Sequence, residues 1–232
     1  MEYLYIKKGQ IQLKKFIHTT IKEYLNEQQE VLLAPNGNES NLSKKLYDYV
    51  RSDEFKRWFG DWEKHPNSSS KIVDVNGEPI PYYKSLCDDT IFFGSANNYN
   101  YGITCAAPTY DVAKGFGIKN SITKTIFIKS VNPFDFRIQE HKNWLIDQIA
   151  NDKYAKLYTD FMINMGNAGY EYTKKDLEYY IEEGAYSVLE WDVVYNKLLK
   201  NGYDSFYMME DIESGLQPNI SVFKSSQIKI AN

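Results

Sequence analysis

Two cysteines and three histidines are all that this chain of 232 residues offers to a soft or borderline metal ion. Cys87 and Cys105 do not stand at a ligand spacing, and the histidines are scattered, which excludes a structural zinc site. No secretory leader is legible, so both thiols are expected free, in a reducing compartment. No apolar run approaches the roughly 18 residues that a membrane-crossing helix needs. An excess of positive charge is missing as well: 27 Lys and Arg stand against 31 Asp and Glu, a net charge of −4. That balance argues against binding nucleic acid through bulk charge and leaves room only for a local basic patch. Internal repeats and long low-complexity tracts are also lacking. Tyrosine, by contrast, is abundant, with 20 residues against 12 Phe and 4 Trp. Much of the apolar area therefore carries a hydroxyl that needs a polar partner. With 43% hydrophobic and 25% charged residues, the chain has the composition of one large globular domain, with or without an appendage.

Periodicity divides the chain into three parts. In residues 1–30, Leu13, Phe16, Ile17, Ile21, Tyr24 and Leu25 recur at helical spacing, opposite Lys14, Lys15, Lys22 and Glu23. This amphipathic segment reads either as a helix packed on the domain or as a detachable tag. Residues 31–70 form a helical lead-in after the Asn36-Gly37 turn. Asn41 or Ser43 caps a helix with Leu46, Tyr47 and Val50 on its apolar stripe. Ser52 and Asp53 cap a second, over 54–62, whose Phe55, Trp58, Phe59 and Trp62 share one face. That face reads as core, with base stacking as the alternative.

The third part, 71–232, alternates strands and helices. A strand at 72–75 meets the two-residue turn Asn76-Gly77, and the return strand from Ile80 brings Lys84 and Ser85 to a cleft. Further strands are expected at 91–93 and 102–107, with an exposed loop at 95–101 between them. Thr109 caps a helix reaching Phe116. The alternation of Ile122, Lys124, Ile126 and Ile128 against Thr123, Thr125, Phe127 and Lys129 is a β-strand, stopped by Asn132-Pro133. Residues 138–200 are helical. Trp144, Leu145, Ile149 and Tyr154 mark one helix, Asp176, Leu177, Tyr180 and Ile181 a second, and 191–200 a third that Asn201-Gly202 ends. A strand at 203–208, an acidic loop with Glu210, Asp211 and Glu213, and a closing strand at 220–223 complete the chain, with 227–230 continuing it after a turn.

Several of these segments, in order, resemble the ADP-ribosyltransferase-like domains of phage and prophage proteins. Asn41, Leu42 and Ser43 followed by the run from Phe55 to Glu63 look like that family's leading helices. The run from Lys71 to Pro79 looks like the approach to its first core strand, and that from Ile126 to Phe134 like its central strand and Asn-Pro stop. Gly202-Tyr203-Asp204 and the run from Val222 to Lys229 look like its last two strands. The resemblance implies an α+β fold of two packed, mainly antiparallel sheets with flanking helices, preceded by N-terminal helices. Leu25-Asn26-Glu27, closing the basic amphipathic segment, resembles the cleavage triplet of a phage capsid-targeting leader. A phage virion or the host bacterial cytoplasm is the location this implies, with phage structural or host proteins as partners and neither metal nor membrane.

Such domains cleave NAD between ribose and nicotinamide through an oxocarbenium-like transition state, which a carboxylate stabilises. A His in a His-Gly-Thr or His-Gly-Ser triplet on the first strand positions the ribose, and an aromatic residue on a second strand stacks on the nicotinamide. The resemblance puts Lys84, Ser85 and Leu86 at the triplet. Thr104, or Cys105, stands at the aromatic position, and Asn219 at the Glu, four residues before Phe223. Asn219 brings no negative charge, Ser85 adds a β-carbon, and Leu86 has no hydroxyl. In a second class an Arg stands on the first strand, which Lys84 imitates only as a point charge. The leading expectation is therefore an inactive transferase fold that serves as a virion or protein-binding component and requires no cofactor. One alternative is an active transferase or NAD glycohydrolase recruiting Glu210, Asp211 or Glu213. Another is a module that holds NAD without turnover through Lys84, Ser85, Thr104, Cys105 and Asn219, with Lys84 on a phosphate.

Overall fold

Serine side chains open the first two helices of the computed structural model, which describes residues 31–86, 104–167, 169–212 and 215–231 together with Lys14, Lys15 and Ile17. At 210–212 and 215–217 it describes the backbone alone. Ser43 accepts the Leu46 amide ahead of α1 (Lys44–Val50), and Ser52 accepts the Phe55 amide ahead of α2 (Asp53–Phe59). α2 stops at Gly60, where φ is 99° and a β-carbon would lie 2.5 Å from Ser69 Oγ. The aromatic stripe is core. Phe55, Phe59 and Trp62 are buried with Leu42 and Val50, and Phe127 from the sheet below completes the cluster. Phe55 meets Phe127 edge-on, with ring centroids 5.0 Å apart. These three rings offer no open face to a base.

The turn at Asn76-Gly77 forms as expected, but residues 72–75 form no strand and the return strand starts only at Tyr82. Asp74 Oδ1 accepts the amides of Asn76 and Glu78 at 2.8 and 2.9 Å, and Gly77 takes a φ of 82°. Pairing beyond the turn shrinks to one bridge, Val73 to Pro79. Pro79 and Pro81 have no N–H to give, so a ladder begins only after them. Arg51 ties this hairpin to the helical lead-in. Its guanidinium forks onto Glu78 at 2.7 and 3.2 Å, reaches Glu63 at 3.1 Å and lies 3.5 Å from the Tyr47 ring centroid. On either side of residue 70, the Ser70 amide bonds Phe59 and the Lys71 amide bonds Ser130.

The strands are β1 (Tyr82–Leu86), β2 (Thr104–Ala106), β3 (Ile122–Ile128), β4 (Pro133–Phe134), β5 (Ser205–Ile212), β6 (Gly215–Val222) and β7 (Ile228–Ile230). They make two sheets, ordered β1-β3-β7 and β2-β6-β5-β4, antiparallel except where β4 meets β5. Tyr83 and Ala107 exchange amide bonds of 2.9 and 3.0 Å and so join the two sheets where β1 meets β2. Thr109 caps α3 (Tyr110–Gly115), as the sequence indicates. The helical region holds α4 (Gln139–Ile149), α5 (Asp152–Asn164), α6 (Lys174–Glu182), α7 (Tyr186–Leu189) and α8 (Asp192–Lys200). The one helix expected from Trp144 to Tyr154 is two, because Asn151 accepts the Tyr154 amide and starts α5. Thr173 and Asp176 close a reciprocal capping box on α6.

Leu145, Ile149, Leu177, Ile181, Val194 and Leu198 of the helices share one buried cluster with Phe206, Ile220 and Val222 of the four-stranded sheet. Ile126 and Ile128 of β3 join that cluster, whereas Phe127 between them points to α1 and α2. The fold is thus α+β, with two sheets between helical layers. The acidic loop is a further expectation that the structure corrects. β5 continues through Ile212, with Glu210 opposite Gln217 and Asp211 opposite Leu216, so these acidic positions are strand backbone and not a loop. Glu213, Cys87 and the expected strand and loop at 91–93 and 95–101 lie outside the described residues, as does most of 1–30, where Lys14, Lys15 and Ile17 are helical.

Candidate functional site

Strand alternation sorts the candidate residues onto faces. β1 sends Tyr82, Lys84 and Leu86 one way and Tyr83 and Ser85 the other. Directly opposed residues share a face, so Tyr82, Lys84 and Leu86 lie beside Ile126, Lys124 and Ile122 of β3. Ile126 is fully buried in the main core, which makes this the inner face. Across the gap, the Tyr82 hydroxyl bonds that of Tyr207. Burial holds both phenols above their usual range, and the Arg137 guanidinium, 4.3 Å from the Tyr207 ring centroid, works against that rise. Arg137 is itself clamped by Asp135 at 2.6 Å. The register then carries the inner face from Tyr207 to Ile220 and Ala106, and from these to Ser205, Val222 and Thr104 two positions away. Lys84 Nζ donates to the Cys105 carbonyl at 2.8 Å, which holds β1 against β2. Lys84 and Thr104 therefore belong to the same side of the sheets.

Asn219 does not. The β5–β6 register runs without a bulge from Val222 to Gly215, and Asn219 stands three residues from Val222. It shares the opposite face with Ser221 and, across the strands, with Met208 and Cys105. Contact between Cys105 Sγ and Ser221 Oγ at 2.7 Å marks that face. Both Thr104 and Asn219 are buried, at 4% and 1% exposure. The two alternatives for the aromatic position, Thr104 and Cys105, thus point in opposite directions. Ser85, on the far side of β1, is a strut: its hydroxyl donates to the Ala113 carbonyl of α3 at 2.7 Å and contacts Thr123 Oγ1 at 2.8 Å. Leu86 is buried.

Two residues that the site reading passed over stand beside these positions. Glu190, which ends the four-residue helix α7, brings Oε1 to 3.2 Å from Cys105 Sγ. Nothing local in the sequence announces it, since the approach is made by the tertiary fold. Lys124 was visible as a cation in an otherwise isoleucine register, and its place opposite Lys84 is given by the β1–β3 pairing. Two pockets among the described residues lie elsewhere. One of 680 Å³ is bounded by α5 and residues 169–173, and one of 540 Å³ by Trp62, Lys71 and the 73–77 hairpin. A smaller one of 160 Å³ has Glu190, Tyr186 and Phe161 in its wall.

Chemically, the inner face offers two amines, two buried hydroxyls and two phenols, and the reverse face an amide, a thiol and a carboxylate. Among the described residues no group of three or more His, Cys, Asp and Glu could hold a metal ion, and no helix is long and apolar enough to cross a membrane. No protein-family model, no curated protein and no solved structure matches this chain.

Proposed function

We propose that the chain is a catalytically inactive protein on an ADP-ribosyltransferase-like scaffold, working as a virion, internal-head or protein-binding component of a tailed bacteriophage. The element order supports the scaffold reading: leading helices, a first strand bridged to a second, a central strand that ends at Ile128 ahead of Asn132-Pro133, and closing strands carrying Asn219. One observation carries the loss of catalysis. The amide of Asn219 replaces the carboxylate and lies on the face opposite Lys84 and Thr104, so the corresponding positions do not converge on one reacting centre. A transition state of oxocarbenium character then lacks its main electrostatic partner, a contribution of about 3–4 kcal/mol for one well-placed group. The test incubates the full chain with NAD labelled in the nicotinamide and, separately, in the adenosine. Neither nicotinamide release nor labelled protein is expected.

An active enzyme is the second reading, and the approach of Glu190 to Cys105 is what favours it. Turnover that disappears in Glu190→Ala, or in Glu210→Ala, Asp211→Ala or Glu213→Ala, would replace the first reading by this one. For the virion location, the mature N-terminus is read from particles. A chain beginning at Gln28 supports a capsid-targeting leader cleaved after Glu27.

A further inference from the structure

We infer that copies of this chain associate head to tail, the apolar, lysine-flanked loop after α3 of one copy seating in the acidic pocket beside α5 of the next. Tyr110, Phe116 and Ile118 are 48%, 57% and 71% exposed. The exposed Lys114 and Lys119 stand among them, against one exposed carboxylate, Asp111. A single exposed apolar residue is ordinary on a protein surface, but three large ones between positions 110 and 118 point to a contact surface. Their display is built into the backbone. The Gly117 amide bonds the Lys114 carbonyl and the Ser121 amide that of Ile118, each at 3.0 Å. Gly117 is packed so closely that a β-carbon there would run into Ser121 Oγ and lie 3.0 Å from Ser85 Oγ of β1. A loop held in this way loses little conformational entropy when a partner buries it.

The complementary surface is on the chain itself. The 680 Å³ pocket between α5 and residues 169–173 is lined by the exposed carboxylates Asp152, Asp160 and Glu171, with Lys156 as the one lysine in its wall. Ile163 and Tyr170 add half-exposed apolar wall. The pocket therefore offers carboxylates to Lys114 and Lys119 and an apolar lining to Phe116 and Ile118. A net charge of −4 makes whole copies repel, so the approach that is favoured is the oriented one of basic loop to acidic pocket. Loop and pocket are different surfaces, so a pair of copies keeps one of each unused, and the association closes into a ring or runs on as a chain. Neither surface includes Lys84, Thr104 or Asn219, and the inference stands apart from the transferase-like reading.

Sedimentation velocity of the full chain, from low to high micromolar concentration and at two salt concentrations, tests this. The weight-average sedimentation coefficient should rise with concentration, and less steeply at high salt. Ile118→Ser alters the loop and Asp160→Lys the pocket, both at exposed positions, and each should weaken association roughly tenfold or more. The deciding sample is the equimolar mixture of the two variants. There the intact pocket of one meets the intact loop of the other, and a dimer that cannot extend should form. Should Ile118→Ser not fold, Lys119→Glu takes its place in the mixture. A chain that stays monomeric at every concentration, or a mixture that does not associate, overturns the proposal. Association that neither substitution weakens does so too, as does association lost in the loop variant and untouched by Asp160→Lys, which is a loop-to-loop dimer. Monomers that co-sediment with phosphatidylserine but not phosphatidylcholine vesicles, and cease to in Ile118→Ser, overturn it in favour of a lipid surface.

Discussion

Placing a carboxylate at residue 219 should destabilise the protein strongly rather than confer catalysis. Asn219→Asp changes the size of the side chain very little and installs an ionisable group at a position 1% exposed. Burial can raise a carboxyl pKa by 3–5 units at the extreme. A rise from about 3.9 in the unfolded chain to about 7 in the folded one costs about 4 kcal/mol at neutral pH. The sign follows from proton binding. Between those two values the folded chain keeps a proton that the unfolded chain has lost, so stability falls as pH rises through that interval and is undiminished below about pH 4. Asn219→Glu carries the same electrostatic cost plus an overpacking cost of about 1–3 kcal/mol that does not depend on pH. Urea unfolding of the wild type and both variants at about pH 4 and about pH 7 reads this directly, through midpoints at constant slope. A variant as stable as the wild type at both pH values would refute the burial argument. Nicotinamide release by Asn219→Glu would refute the assignment of residue 219 to the reverse face.

Three further outcomes are expected. Arg51→Met strands the buried Glu78 carboxylate and should cost about 3–5 kcal/mol, seen as a fall in melting temperature of about 6 °C or more. Phe127→Ala opens a cavity in the only sheet contact of the α1–α2 cluster among its buried members, and chemical denaturation should show a loss of about 3–5 kcal/mol. Thr173→Ala removes half of the α6 capping box and should cost about 1 kcal/mol. Hydrogen bonds from the Thr173 hydroxyl and amide hold the Asp176 carboxyl below its usual range. That contribution is present above the unfolded value and is lost as pH falls through the folded one, so the variant's deficit should shrink in acid, as followed by circular dichroism.

Local chemistry made the elements legible, and long-range pairing hid the site. The isoleucine alternation of β3, the serine caps of α1 and α2 and the Thr109 cap of α3 are signals written within a few residues. The break between α4 and α5 was equally local, since Asn151 is a capping residue, but Tyr154 continued the apolar spacing across it. β5 outran its expected end because Glu210 and Asp211 have little intrinsic strand preference and are kept extended by pairing with β6. Whether Asn219 faces Thr104 depends on the register of β2 against β6, and a shift of one residue would reverse it. No periodicity within either strand contains that information. The same holds for Arg51 and Glu78, whose fork joins a helix end to a hairpin. Lys124 is the instructive intermediate case, a visible anomaly in an apolar register whose partner only the pairing supplies.

The central claim is that this scaffold no longer turns over NAD, and nicotinamide release measures it most directly. Full chain is incubated with nicotinamide-labelled NAD, with and without bacterial lysate as a source of acceptor protein, and free nicotinamide is counted against a no-protein control. The account predicts release indistinguishable from the control under both conditions. Release above it that is lost in Glu190→Ala, Glu210→Ala, Asp211→Ala or Glu213→Ala would contradict the account and identify the carboxylate it says is missing.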